Sequence, residues 1–143
     1  MIEYQKILDK NMLNVFKDIL KNIKDNGLSN NNHLYITFLT NHKNVELPNW
    51  LKQKYPQEMT IIIQYEYYDL EINKNNFSIT LSFGDIKTNL KINYNAIVSF
   101  ADPSANFGLI LQKSNIRNKE NKKLENNKSK KDNIINFSNY KKN

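Results

Sequence analysis

Phe77–Ser78–Ile79–Thr80–Leu81–Ser82–Phe83, followed at once by Gly84–Asp85, decides how the rest of the chain is read. Apolar side chains hold every odd position and hydroxyl side chains every even one, the two-residue period of a strand with one buried face. A helix would scatter the same residues around its circumference, so the stretch reads as a strand with a turn after it. Before it lies Met59–Thr60–Ile61–Ile62–Ile63–Gln64, β-branched and apolar; after it lies Leu90–Lys91–Ile92–Asn93–Tyr94. Three such runs with turns between them predict an antiparallel sheet at the centre of the fold.

Outward from this centre, residues 2–24 read as one amphipathic helix. Tyr4, Leu8, Met12, Val15, Phe16, Ile19, Leu20 and Ile23 recur at spacings of three and four, with Ile7 and Leu13 on the shoulders of the stripe. Asn26–Gly27 ends it, Gly27 being free to take a left-handed conformation. Such a stripe packs on the sheet, and its fullness leaves a share for a second subunit. After the loop Asn30–Asn31–Asn32, residues 33–40 form an alternating strand. Pro48 opens a short helix over residues 49–55 that Pro56 closes, with Trp50 expected as a core anchor. Tyr65, Tyr67 and Tyr68 are three tyrosines in four residues, either a half-exposed sheet face or an aromatic wall beside a groove. Residues 73–76 are a turn by composition, residues 95–100 a last apolar run, and residues 106–111 a short edge strand.

The chain has 143 residues, one domain with room for an appendage. A folded part of ~110 residues buries roughly two-thirds of its unfolded surface, enough for a core without staples. Cysteine is absent, which excludes disulfides and thiolate chemistry. No window approaches the ~18 apolar residues of a membrane span, and the first residues lack the layout of a signal peptide. The expectation is a soluble, cytoplasmic protein. The net charge of +7 is carried by one region. Residues 1–112 hold 11 Lys and 11 acidic residues, whereas residues 113–143 hold 10 basic and three acidic ones. The charge therefore belongs to the tail, and the part that folds is neutral.

Chemistry-bearing motifs are missing. No glycine-rich phosphate loop, no nucleophile with a positioned histidine and no paired helical histidines occur. His33 and His42 are the only histidines, and no third ligand shares their spacing, so neither metal nor cofactor is expected. Glu66, Asp69 and Glu71 read as the solvated edge of a sheet. The reading is a binding domain, not an enzyme.

From Lys113 the composition shifts to Ser, Asn, Lys and Glu, too polar to offset its ordering entropy, so residues 113–133 read as a flexible linker. Residues 134–143 then regain apolar residues in a cluster, which reads as a short linear motif on a tether.

The blocks His33–Leu34–Tyr35–Ile36–Thr37–Phe38, Val45–Glu46–Leu47–Pro48–Asn49–Trp50–Leu51, Tyr55–Pro56–Gln57–Glu58–Met59–Thr60, the alternating stretch through Gly84, and Phe100–Ala101–Asp102–Pro103–Ser104–Ala105–Asn106–Phe107–Gly108–Leu109 resemble stringent starvation protein B in its α-proteobacterial form. The resemblance runs from the first helix to about Leu111 and resumes at Ile134. Asp85 stands where that family usually has a second glycine.

The resemblance implies an α+β, mainly β fold: a small Sm-like bent antiparallel sheet or partial barrel with the N-terminal amphipathic helix against it, a disordered C-terminal tail, and a homodimer through the helix. It divides the chain into a tag-binding domain (1–112), a linker (113–133) and a docking motif (134–143). It also implies an adaptor that holds ssrA-tagged polypeptides in a sheet groove and delivers them to the ClpX unfoldase with its protease ClpP. The groove would be lined by Gln64, Tyr65, Leu81, Phe83 and Gly84, with Phe100 and Ala101 nearby, and an extended peptide there would gain strand hydrogen bonds and side-chain pockets. Ile134, Ile135, Phe137, Tyr140, Lys141 and Lys142 match the motif that docks on the unfoldase's N-terminal zinc-binding domain. A linker of ~20 residues spans roughly 25 Å as a coil. The rival reading is an Sm-like RNA-binding module with a basic tail, stacking bases on the tyrosines. Against it stands a neutral sheet domain without arginine.

Overall fold

In the computed structural model, which describes residues 1–29, 31–64 and 66–112, the alternating stretch becomes β5 (Asn76–Phe83). It pairs along its whole length with β6 (Ile86–Asn93), from Asn76 opposite Asn93 to Phe83 opposite Ile86. The apolar positions Phe77, Ile79 and Leu81 are buried, as the period demands. Gly84–Asp85 is then a two-residue hairpin loop. Gly84 has φ +64° and Asp85 does not share a positive φ, the pattern of a II′ turn, which needs glycine only at its first central position. Asp85 is thus compatible with the hairpin.

The remaining elements are α1 (Tyr4–Asn26), β1 (Leu34–Leu39), β2 (Val45–Glu46), α2 (Asn49–Lys54), β3 (Glu58–Ile63), β4 (Tyr68–Ile72), β7 (Ile97–Asp102) and β8 (Phe107–Ile110). They form two four-stranded antiparallel sheets, in the orders β3-β1-β7-β8 and β2-β6-β5-β4. The three runs expected in one sheet are therefore split. β3 belongs to the first sheet and β5 and β6 to the second, because β3 takes β1 as its partner. Residues 106–111 do supply an edge strand, β8.

The core lies where α1 meets both sheets. Phe16 is the contact: its ring is 5.8 Å edge-on from both Phe77 of β5 and Phe100 of β7. Met12, Leu20 and Ile23 are buried with it, so the helix stripe packs on the sheets from Met12 onward, Val15 excepted. Its first turns do not: Tyr4, Ile7 and Leu8 are exposed. Gly27 closes the helix with φ +76°, its N–H bonded to the Ile23 carbonyl at 2.7 Å. Tyr94 stacks on Phe77 and donates its hydroxyl to the Asn73 carbonyl at 2.9 Å, and burial pushes its phenol pKa up.

Two irregularities set the outline. Between Tyr68, opposite Thr80, and Glu71, opposite Ser78, β4 spends one residue more than β5. That bulge is made by Asp69 at φ 53°, a conformation aspartate tolerates better than most residues. It leaves β4 as a short edge strand with Glu71 exposed, and Lys24 of α1 ties it down by donating to the Leu70 carbonyl at 2.9 Å. A second bulge offsets β1 from β7 between Thr37 and Phe38. No helix among the described residues is long and apolar enough to cross a membrane.

Candidate peptide-binding groove

β3 closes one side of its sheet and pairs only with β1 among the described residues. β5 pairs with β4 as far as Thr80, and beyond it Leu81–Ser82–Phe83 pair only with β6. Among the described residues, two strand edges are consequently left without a neighbour. A groove of about 420 Å³ lies between them, lined by Thr60, Ile61, Ile62, Gln64 and Glu66 on one side and by Leu81, Ser82 and Phe83 on the other. Edge strands present rows of unpaired backbone donors and acceptors, so this groove offers main-chain hydrogen bonds as well as side-chain pockets.

The walls follow from strand alternation. On β3, Ile61 is buried and Thr60 and Ile62 turn outward; on β5, Leu81 is buried, Ser82 outward and Phe83 half-buried. Thr60 is held by a 2.7 Å hydrogen bond between its hydroxyl and that of Thr37 across the strand pair. Ile62 is 42 % exposed, a large apolar side chain presented to solvent beside the groove. Residues 64–67 connect β3 to β4, whose Tyr68 lies opposite Thr80, so Gln64 and Glu66 stand toward the Leu81 end of the β5 wall.

Phe83 has a further neighbour. Trp50 of α2 meets it edge-on with ring centroids 6.1 Å apart. Trp50 is 42 % exposed, which corrects its reading as a core anchor; Leu51 is the α2 side chain that enters the core. Pro48 still starts the helix, its carbonyl accepting from Leu51 and Lys52.

Of the residues expected to line a groove, Gln64, Leu81 and Phe83 come together here. Tyr65 lies outside the described residues. Gly84 is exposed in the turn after Phe83 and is not a lining residue. Phe100 and Ala101 are buried in β7 between β1 and β8, with Phe100 committed to Phe16 and Phe107, and neither reaches the groove. The other two tyrosines diverge: Tyr67 is half-buried against the core, while Tyr68 is exposed with the Lys87 ammonium 4.2 Å from its ring centroid. Ile62, Glu66 and Thr60 line the groove beyond the residues expected there. Only the pairing of β3 with a partner on one side reveals them, and no local pattern encodes that. Ile134, Ile135, Phe137, Tyr140, Lys141 and Lys142 lie outside the described residues.

A smaller depression of about 350 Å³ on the polar face of the second sheet is lined by Glu46, Leu47, Ser78, Asn89 and Lys91. Among the described residues no three His, Asp or Glu side chains are grouped to hold a metal ion.

Comparison with known proteins completes the picture. The family model described as stringent starvation protein B matches residues 6–143. No curated protein matches the chain. The family match spans nearly all of the sequence and both walls of the groove: the chain belongs to the stringent starvation protein B family, a family of protease adaptors.

Proposed function

We propose that the protein is a non-enzymatic adaptor of the cytoplasm that binds ssrA-tagged polypeptides in the groove between β3 and β5 and delivers them to ClpX with ClpP. The observation that carries the reading is the pair of strand edges, unpartnered among the described residues, that line one groove in a chain of a protease-adaptor family. An extended peptide entering there adds as a strand, taking hydrogen bonds from the β3 edge while its side chains meet Leu81, Phe83 and Ile62. Gln64 supplies an amide that donates and accepts, which suits recognition of a polar tag. Among the described residues no lysine or arginine lines the groove, which favours a peptide over a nucleic acid.

Delivery belongs to the tail in this proposal. Ile134, Ile135, Phe137, Tyr140, Lys141 and Lys142 form the docking motif for the N-terminal zinc-binding domain of ClpX, with residues 113–133 as the tether. The exposed Tyr4, Ile7 and Leu8 of α1 favour a homodimer through that helix.

The groove is tested by fluorescence anisotropy of a labelled ssrA-tag peptide of the same organism, titrated with the full chain. Saturable binding is expected. Phe83→Ala and Ile62→Asp, both at partly exposed positions and checked for folding by circular dichroism, should weaken it at least about tenfold. Binding that is unaffected by either change would place the tag elsewhere.

A further inference from the structure

Of the described side chains that line the groove, only Glu66 is charged. It is exposed, and its carboxylate forms no ion pair or hydrogen bond within the described residues. Lys87, cross-strand from the lining residue Ser82, is turned over the Tyr68 ring, and no lysine among the described residues pairs with Glu66. Among the described residues, the groove thus carries one negative charge in its wall with no partner. We propose that Glu66 is a specificity determinant: it makes the groove favour an extended peptide with a lysine or arginine beside it and disfavour one with aspartate or glutamate there. This rests on the peptide-binding reading of the groove and adds to it a charge preference.

The physical argument is one of register. A peptide that adds to a strand edge is fixed by its backbone hydrogen bonds, so each of its side chains faces one place on the wall. Glu66 stands on the connection between β3 and β4, at one place in the groove wall. The charge preference is consequently confined to the one or two peptide positions that pass this connection and absent elsewhere along the peptide. Because Glu66 is solvent-exposed, the discrimination is modest, about two- to fivefold in affinity for a single charge. It also weakens with salt, since the screening length falls from about 30 Å at 0.01 M to about 3 Å at 1 M.

The experiment uses the full chain and its Glu66→Gln variant. The probe is the fluorescein-labelled ssrA-tag peptide of the same organism, with Lys, Gln and Glu substituted in turn at each position. At one or two adjacent positions Lys should bind about two- to fivefold more tightly than Glu at low salt, and the ratio should approach one at high salt and in Glu66→Gln. A position-specific preference for Lys that survives in Glu66→Gln would overturn the inference, as would binding with no position-specific charge dependence; both leave the groove reading standing. Failure of every peptide to bind would overturn the two together.

Discussion

At the scale of single residues, the turn between β5 and β6 shows how one backbone angle divides two neighbouring positions. Gly84 sits at φ +64° with nothing within 4 Å of where a Cβ would stand. Space is not the constraint there; the left-handed backbone is. Asp85 carries no such demand. Gly84→Ala should therefore lower unfolding stability by about 1–2 kcal/mol, while Asp85→Gly should change it by less than about 1 kcal/mol, acting through the entropy of the unfolded chain. Urea titrations of the two variants test this, and equal effects would contradict the II′ assignment. Since Phe83 is the residue before the turn, a strained Gly84→Ala hairpin should also disturb one wall of the groove.

At the scale of elements, what could be read from the sequence was whatever a local period encodes. The alternation of Phe77 to Phe83, the three-and-four spacing around Phe16 and Leu20, and Pro48 before α2 each specify an element through their own neighbours. Pairing between strands distant in sequence is not local, and there the reading failed. Nothing in Met59 to Gln64 says that its partner is β1 and not β5, yet that choice creates the groove. Asp69 left no signal of the bulge that ends β4 either, because its left-handed backbone is a response to the register of β5. Trp50 was misread for a related reason: an aromatic on a six-residue helix can face either way, and Leu51 takes the core. The helix α1 exposes the one apolar surface that the stripe predicted and the sheets do not cover. A single copy leaves Ile7 and Leu8 about half in water, an arrangement that association through this turn would relieve. Leu8→Glu combined with Ile7→Lys should leave the circular dichroism spectrum unchanged and convert a dimer to a monomer in light scattering. A wild-type chain that is already monomeric at tens of micromolar would remove α1 from the proposed assembly.

At the scale of the whole molecule, the net charge and the groove fall in two different regions of the chain. Residues 1–112 balance 11 lysines against 11 acidic residues and carry the groove, whereas the entire excess of +7 lies in residues 113–143. A neutral binding domain joined to a basic segment suits an adaptor whose two contacts are each weak. In the proposed adaptor, once one contact forms the other becomes intramolecular, with an effective concentration that the length of residues 113–133 would set. A dimer would present two such segments per tagged chain. Separation of the two functions follows directly. Deleting residues 134–143 should leave anisotropy binding of the ssrA-tag peptide within about twofold of the full chain, because every described residue that lines the groove comes before 84. The same deletion should abolish the adaptor-dependent gain in degradation of an ssrA-tagged substrate by ClpXP at substrate concentrations well below saturation. At saturating substrate the gain should shrink even for the full chain, since tethering raises local concentration and not the rate of unfolding. A truncated protein that still stimulates degradation fully would show that delivery does not pass through the final ten residues, and the division of labour proposed for the tail would have to be abandoned.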